Sequence, residues 1–82
     1  MISKKIENFL LAEFGANLGG QSLDPDEDLL EQRIIDSLGL LTLVVFLEKA
    51  HGIKVNDEDV VPENFQSLNS IVRFVEQKMR NN

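Results

Sequence analysis

Apolar positions recur at helical spacing in three stretches of this 82-residue chain. In the first, Ile2, Ile6, Phe9, Leu10 and Phe14 share a stripe, with Lys4, Lys5, Glu7 and Glu13 off it. That spacing predicts a helix over 2–14, with Gly15 as its C-terminal stop. In the second, almost every residue from Leu38 to Leu47 is apolar. Asp36 and Ser37, both N-cap types, precede it, and Gly52 marks its end. In the third, Leu68, Ile71, Val72, Val75 and Met79 form the stripe, with Phe74 beside it. Ser67 is placed to cap this last helix, and Lys78 and Arg80 suit its C-terminal dipole.

The segments between are shorter on periodicity. Ile53-Lys54-Val55 reads as an extended link. Asn56 or Asp57 caps a short helix through Asp59, Val60 and Val61, ended by Pro62. Asp57, Glu58 and Asp59 occupy its first turn, where the dipole favours negative charge. The connection over 15–36 is long, with turn chemistry at Gly19-Gly20 and Asp24-Pro25-Asp26. Leu18, Leu23, Leu29 and Leu30 are its candidate anchors, and Asp28-Leu29-Leu30-Glu31 suits one helical turn. The fold class expected is all-α. It is a small bundle of three longer helices plus one short helix, with a long loop between helices 1 and 2, in a single domain over 1–82.

The second helix sorts into two faces at ~100° per residue. Leu40, Leu43, Val44, Leu47 and Ala50 fall together and point to the core. Leu38, Leu41 and Val45 fall roughly opposite, with Glu48 and Lys49 at their edge. A chain this short has little material to bury a helix on all sides, so the second face is expected at the surface. Clustered exposed apolar groups mark a binding surface; cover by another helix, or dimerisation, fits the same pattern.

Composition narrows the function. A hydrophobic content of 43% supports a folded core. The absence of cysteine excludes disulfides, zinc–thiolate clusters and thiol catalysis. Charges at Lys4, Lys5 and Glu7 break any N-terminal apolar run, so no signal peptide is read and a cytoplasmic setting is expected. The apolar run of the second helix is too short for a membrane span, which takes ~20 residues. The net charge of −6 argues against nucleic acid. The acidic run Asp24, Asp26, Glu27, Asp28 and Glu31 lacks the glycine and spacing of a calcium loop and reads as solvated surface; no metal site is expected.

Catalysis by the chain itself finds little support. Its one histidine, His51, lies at the far end of the second helix from Ser37, roughly 20 Å away at ~1.5 Å per residue. The two therefore cannot form a nucleophile–base pair, and His51 reads as a packing residue. Ser37 has two readings: a plain N-cap, or an exposed hydroxyl awaiting another enzyme. A phosphate ester there would sit at a helix N-terminus, which favours an anion.

Asp36-Ser37-Leu38 at the head of an apolar helix resembles the attachment motif of acyl and peptidyl carrier proteins. The resemblance runs through the first helix, the long loop with Leu29-Leu30, the second helix, Gly52-Ile53-Lys54-Val55, Asp57-Glu58-Asp59 and the final helix. It implies that Ser37 carries 4'-phosphopantetheine from coenzyme A, added by a phosphopantetheinyl transferase, with Asp36 and Leu38 as motif neighbours. The arm's thiol would hold an acyl or aminoacyl thioester, which explains a carrier without cysteine. The chain would be no enzyme, but a monomer served by an adenylating ligase and downstream acyl-transfer enzymes. Leu38, Leu41, Val45 and Glu48 would meet those partners.

Fatty-acid carriers commonly place acids along the second helix, including the positions held here by Gly39 and Thr42. Val60-Val61-Pro62-Glu63-Asn64-Phe65 followed by Ser67 is more similar to stand-alone carriers, such as D-alanyl and secondary-metabolite carriers. The expectation is a free-standing carrier. A primary fatty-acid synthesis carrier and an unmodified helical adaptor are the alternatives. Phe46 stands where fatty-acid carriers often have a small residue, and Leu47, Phe65 and Phe74 add bulk, so a small or polar cargo is expected.

Overall fold

The computed structural model describes residues 2–20 and 22–80. Four α-helices follow in order: α1 Ile2–Phe14, α2 Ser37–His51, α3 Pro62–Phe65 and α4 Leu68–Arg80. Single 3-10 turns occupy Gly15–Leu18 and Asp57–Asp59, and the described residues contain no strand. The expected all-α bundle of three longer helices and one short helix is what forms.

α4 is the element against which α1, α2 and α3 all pack. Its stripe is the cleanest of the four, burying Leu68, Ile71, Phe74 and Val75. They meet Ile6, Leu10 and Phe14 from α1, Leu43 and Leu47 from α2, and Phe65 from α3 in one core. Ser67 caps α4 as its position implied, accepting the Ser70 N–H at 3.1 Å.

Several details differ from the pattern-based reading. α1 ends at Phe14, as expected, but Gly15 is not a left-handed stop: the backbone tightens there into a 3-10 turn and reverses at Gly19, whose φ is +62°. The expected short helix through Val61 is only a 3-10 turn that stops at Asp59, so Pro62 does not end it. Pro62 instead opens α3 at the first helical position, where its missing N–H has no intrahelical partner to lose. Phe74, placed beside the α4 stripe, is in the core, whereas Met79 is 48% exposed. Lys78 does not serve the α4 dipole alone. Its ammonium lies 2.7 Å from Asp59 Oδ2. That bond first, and the Asn56 N–H second, hold the Asp59 carboxyl below its ordinary range.

The long loop is pinned along its length. Leu18 and Leu29 are buried, and Leu23 and Leu30 pack half-buried against the core, as anchors should. Leu29 donates its N–H to the Gln66 carbonyl at 2.6 Å, and its own carbonyl accepts from Ile34 and Ile35. Asn69 reaches back to the Pro25 carbonyl through its N–H and to Asp26 Oδ1 through its side chain. Asp28 closes a single turn, with its Oδ1 accepting from Leu30 and Glu31 and its carbonyl from Gln32. Asp24 bonds the Asp26 N–H. Much of the acidic run thus builds the loop's own turns.

Candidate functional site

The site lies at the head of α2. Asp36 has extended backbone, and its Oδ1 accepts the Gly39 N–H at 2.7 Å, so Asp36 is the N-cap. Ser37 is the first helical residue and is exposed. Of its two readings, the plain cap is taken by its neighbour. The first intrahelical bond runs from Leu40 N–H to the Asp36 carbonyl at 2.8 Å. The N–H groups of Ser37 and Leu38 are left free, as helix starts require.

The helix can begin here because of what lies beneath it. Gly39 is buried on the Phe14 ring, and a Cβ at position 39 would fall 2.7 Å from Phe14 Cε1. The position that is often acidic in fatty-acid carriers has no room here for any side chain. Sequence reasoning missed this contact; the only signal for it was a glycine inside an otherwise strong helical pattern.

Beside Ser37 opens a cleft of about 390 Å³, lined by Leu30, Arg33, Ile35, Asp36, Ser37 and Leu40. Its floor is apolar loop and helix; its charged groups are Asp36 and Arg33. Arg33 is the only non-glycine residue with positive φ among the described residues, at +59°. Nothing in the sequence singled it out, because glycine is the usual sign of that conformation.

Down the outer side of α2, Leu38, Leu41 and Val45 are 73%, 63% and 49% exposed. The structure brings these three together next to Ser37, and no described element covers them. Glu48, grouped with them from the sequence, behaves otherwise: it is half-buried, and its Oε2 accepts the Val55 N–H at 3.0 Å. That carboxylate ties the link after Gly52 to the end of α2. Gly52 itself takes φ +66° and closes the helix through Glu48.

The inner side of α2 buries Leu43 and Leu47, with Leu40, Val44 and Phe46 half-buried against the core. Phe46 stacks on Phe9 of α1 at 4.0 Å between ring centroids, and Phe9 meets Phe14 edge-on at 6.2 Å. His51 closes the far end of this aromatic row, edge-on to Phe46 at 6.2 Å. Its Nε2 is buried without a hydrogen-bond partner. Burial first, and Lys5 second, push its pKa below the ordinary histidine value. No cluster of His, Cys, Asp or Glu able to hold a metal occurs among the described residues. No helix of the described residues is long and apolar enough to cross a membrane.

The site is thus an exposed hydroxyl at the head of a small helical module, on a helix capped by the preceding residue. The family model for the phosphopantetheine attachment site matches residues 8–75. A probable acyl carrier protein, PigG, from Serratia sp. (strain ATCC 39006) is 30% identical over 78 residues, covering 93% of this chain and 86% of its own. D-alanyl carrier proteins of Streptococcus equi subsp. zooepidemicus and Streptococcus uberis are 35% and 38% identical over 52 residues. Each of those matches covers 63% of this chain and 66% of the relative. The chain belongs to the phosphopantetheine attachment-site family. It is a carrier protein with no catalytic activity of its own, and its cofactor is covalent 4'-phosphopantetheine.

Proposed function

We propose that Ser37 is the attachment residue and that the chain is a free-standing carrier of a small acyl or aminoacyl group. The observation that carries this reading is the division of labour between Asp36 and Ser37. The cap is made by Asp36, so the Ser37 hydroxyl is exposed and outside the helix's own bonding. A separate phosphopantetheinyl transferase moves the phosphopantetheinyl group of coenzyme A onto that hydroxyl: the serine oxygen loses its proton and bonds the phosphorus, the pyrophosphate bond breaks, and adenosine 3',5'-bisphosphate leaves. The arm supplies a terminal thiol that holds the cargo as a thioester. An adenylating ligase loads it, and downstream acyl-transfer enzymes unload it.

The residues present fit the group. The free N–H groups of Ser37 and Leu38 favour a phosphodiester at the helix start. The apolar walls of the adjoining cleft, Leu30, Ile35 and Leu40, suit the arm's aliphatic portion. Leu38, Leu41 and Val45 form the docking face for the enzymes that handle the arm, consistent with their exposure beside Ser37. Glu48 has no part in that face, since its carboxylate is engaged with Val55.

The bundle interior bears on cargo size. The stacked Phe9–Phe46 pair fills the space between α1 and α2, and Phe14 plugs the end nearest Ser37. Opening such a packed region for an alkyl chain is unfavourable by ~1–3 kcal/mol. A short or polar acyl group left in solvent avoids that penalty. The names of the relatives, a probable acyl carrier and D-alanyl carriers, accord with this class.

The test is the intact mass of the protein after incubation with coenzyme A and a promiscuous phosphopantetheinyl transferase. Wild type gains one arm, and Ser37→Ala gains none. An arm on Ser37→Ala places attachment elsewhere. An unmodified wild type returns the chain to the helical-adaptor reading.

A further inference from the structure

We propose that Arg33, a residue lining the cleft beside Ser37, is a positioning residue for the arm: its guanidinium is the counter-ion of the phosphodiester. This rests on the Ser37 reading and adds a partner that the attachment motif does not contain.

Three observations converge on Arg33. Its backbone is held at φ +59°, a conformation that favours glycine and that an arginine adopts only where its surroundings impose it. The imposition is visible: the Arg33 N–H bonds the Leu30 carbonyl at 3.2 Å. The next two residues, Ile34 and Ile35, are buried and both donate to the Leu29 carbonyl. The backbone at Arg33, and with it the Cα–Cβ bond, is thus held by the fold rather than by the residue's own preference. Arg33 is one of the residues that line the same cleft as Ser37.

The guanidinium is also free for a ligand. The ion pairs among the described residues are Lys4–Glu7 and Lys78–Asp59, and Arg33 takes part in neither. It is the one cationic side chain on the cleft lining, in a protein of net charge −6. The remaining charged group there, Asp36, is occupied by the Gly39 N–H. A phosphodiester next to Asp36 meets a negative field, and a planar fork of N–H donors that matches phosphate oxygens offsets it.

The test uses holo-protein, loaded enzymatically and checked by intact mass, in wild type and in Arg33→Gly, Arg33→Gln and Arg33→Lys. Phosphorus-31 NMR of the arm reads the contact directly, and thermal melting reads the fold. In wild type the phosphorus resonance should be displaced and broadened, and should move as salt screens the pair. Arg33→Gln and Arg33→Gly should lose that displacement and its salt dependence, and Arg33→Lys should keep part of it. Arg33→Gly should meanwhile melt no lower than wild type, because glycine relieves the backbone. A purely structural Arg33 would not separate these two readouts in that way. An identical phosphorus signal and salt response in wild type, Arg33→Gly and Arg33→Gln would overturn the proposal and leave Ser37 attachment intact. A wild type that takes no arm would overturn both.

Discussion

Asp36 Oδ1 accepts the Gly39 N–H at 2.7 Å, and this single bond assigns two adjacent residues to different tasks. Asp36 supports the helix; the exposed Ser37 hydroxyl is left outside the helix's own bonding. From the sequence, either residue fits the cap, and a capping Ser37 would make Ser37→Ala unfavourable by about 1 kcal/mol. With Asp36 in that role, the penalty moves: Asp36→Ala should lower stability by about 1 kcal/mol, and Ser37→Ala should stay within about 0.5 kcal/mol of wild type. Urea unfolding of both variants, with intact mass after loading, checks the division. A Ser37→Ala variant as unstable as Asp36→Ala would contradict it.

Gly39→Ala sets two effects against each other. Alanine is a better helix former by about 1 kcal/mol. The added methyl would fall 2.7 Å from Phe14 Cε1, and that ring is itself buried and held edge-on by Phe9. Overpacking of this kind is unfavourable by ~1–3 kcal/mol. The clash should win, giving a net loss of about 1 kcal/mol and a melting temperature lower by about 4–8 °C. A more stable Gly39→Ala would show that Phe14 can move aside.

The docking face gives a prediction in which stability and loading separate. Leu41→Asp and Val45→Asp alter exposed side chains, so each should unfold within about 0.5 kcal/mol of wild type. Both should slow loading by the cognate enzyme about tenfold, equivalent to ~1.4 kcal/mol of lost contact. Glu48→Ala should do the reverse, leaving loading near normal while stability falls by about 1 kcal/mol, since Val55 N–H loses its acceptor. Normal loading by both aspartate variants would place the interface elsewhere.

His51 makes stability depend on pH. Its folded pKa is below the unfolded value of 6.5, so between the two the unfolded chain binds more protons. Folding is therefore fully supported by this group above pH ~6.5 and loses that support as pH falls through the folded pKa. Melting temperatures between pH 7.5 and pH 5 should decline for wild type and less steeply for His51→Phe. Equal slopes would remove His51 as the cause.

The aromatic row sets the outcome for cargo. Holo-protein carrying a short acyl group and holo-protein carrying a long one should show the same core methyl shifts. Large shifts at Leu43, Leu47 and Ile71, with a higher melting temperature for the long chain alone, would show that the chain enters between the helices. The fatty-acid reading would then lead.

The elements legible in the sequence were those written in one residue's own chemistry. The α1 stripe, the Gly52 stop and the Ser67 cap are local, and the structure has them where the pattern put them. Gly15 follows the end of α1 where it was expected, but the 3-10 turn it opens and the left-handed reversal at Gly19 had no signal of their own. Pro62 can close one turn or open the next, and here it opens α3. Contacts between elements left no periodic trace, so Gly39 on Phe14 and Phe9 on Phe46 stayed hidden. Arg33 was least legible of all, since its conformation is forced by Leu29 and Leu30 rather than favoured by its own type.

The bonds from Leu29 to Gln66 and from Asn69 to the Pro25–Asp26 turn join parts of the chain as far apart as Pro25 and Asn69. They make the long loop one cooperative unit with α3 and the head of α4. Amide hydrogen exchange should accordingly report a common opening free energy for Leu29, Ile34, Ile35 and Ile71, well above that of the outer turn of α1 at Ser3 and Lys4. Because the loop runs directly into Asp36, the rigidity of the segment that presents Ser37 is set by a latch made near the opposite end of the sequence.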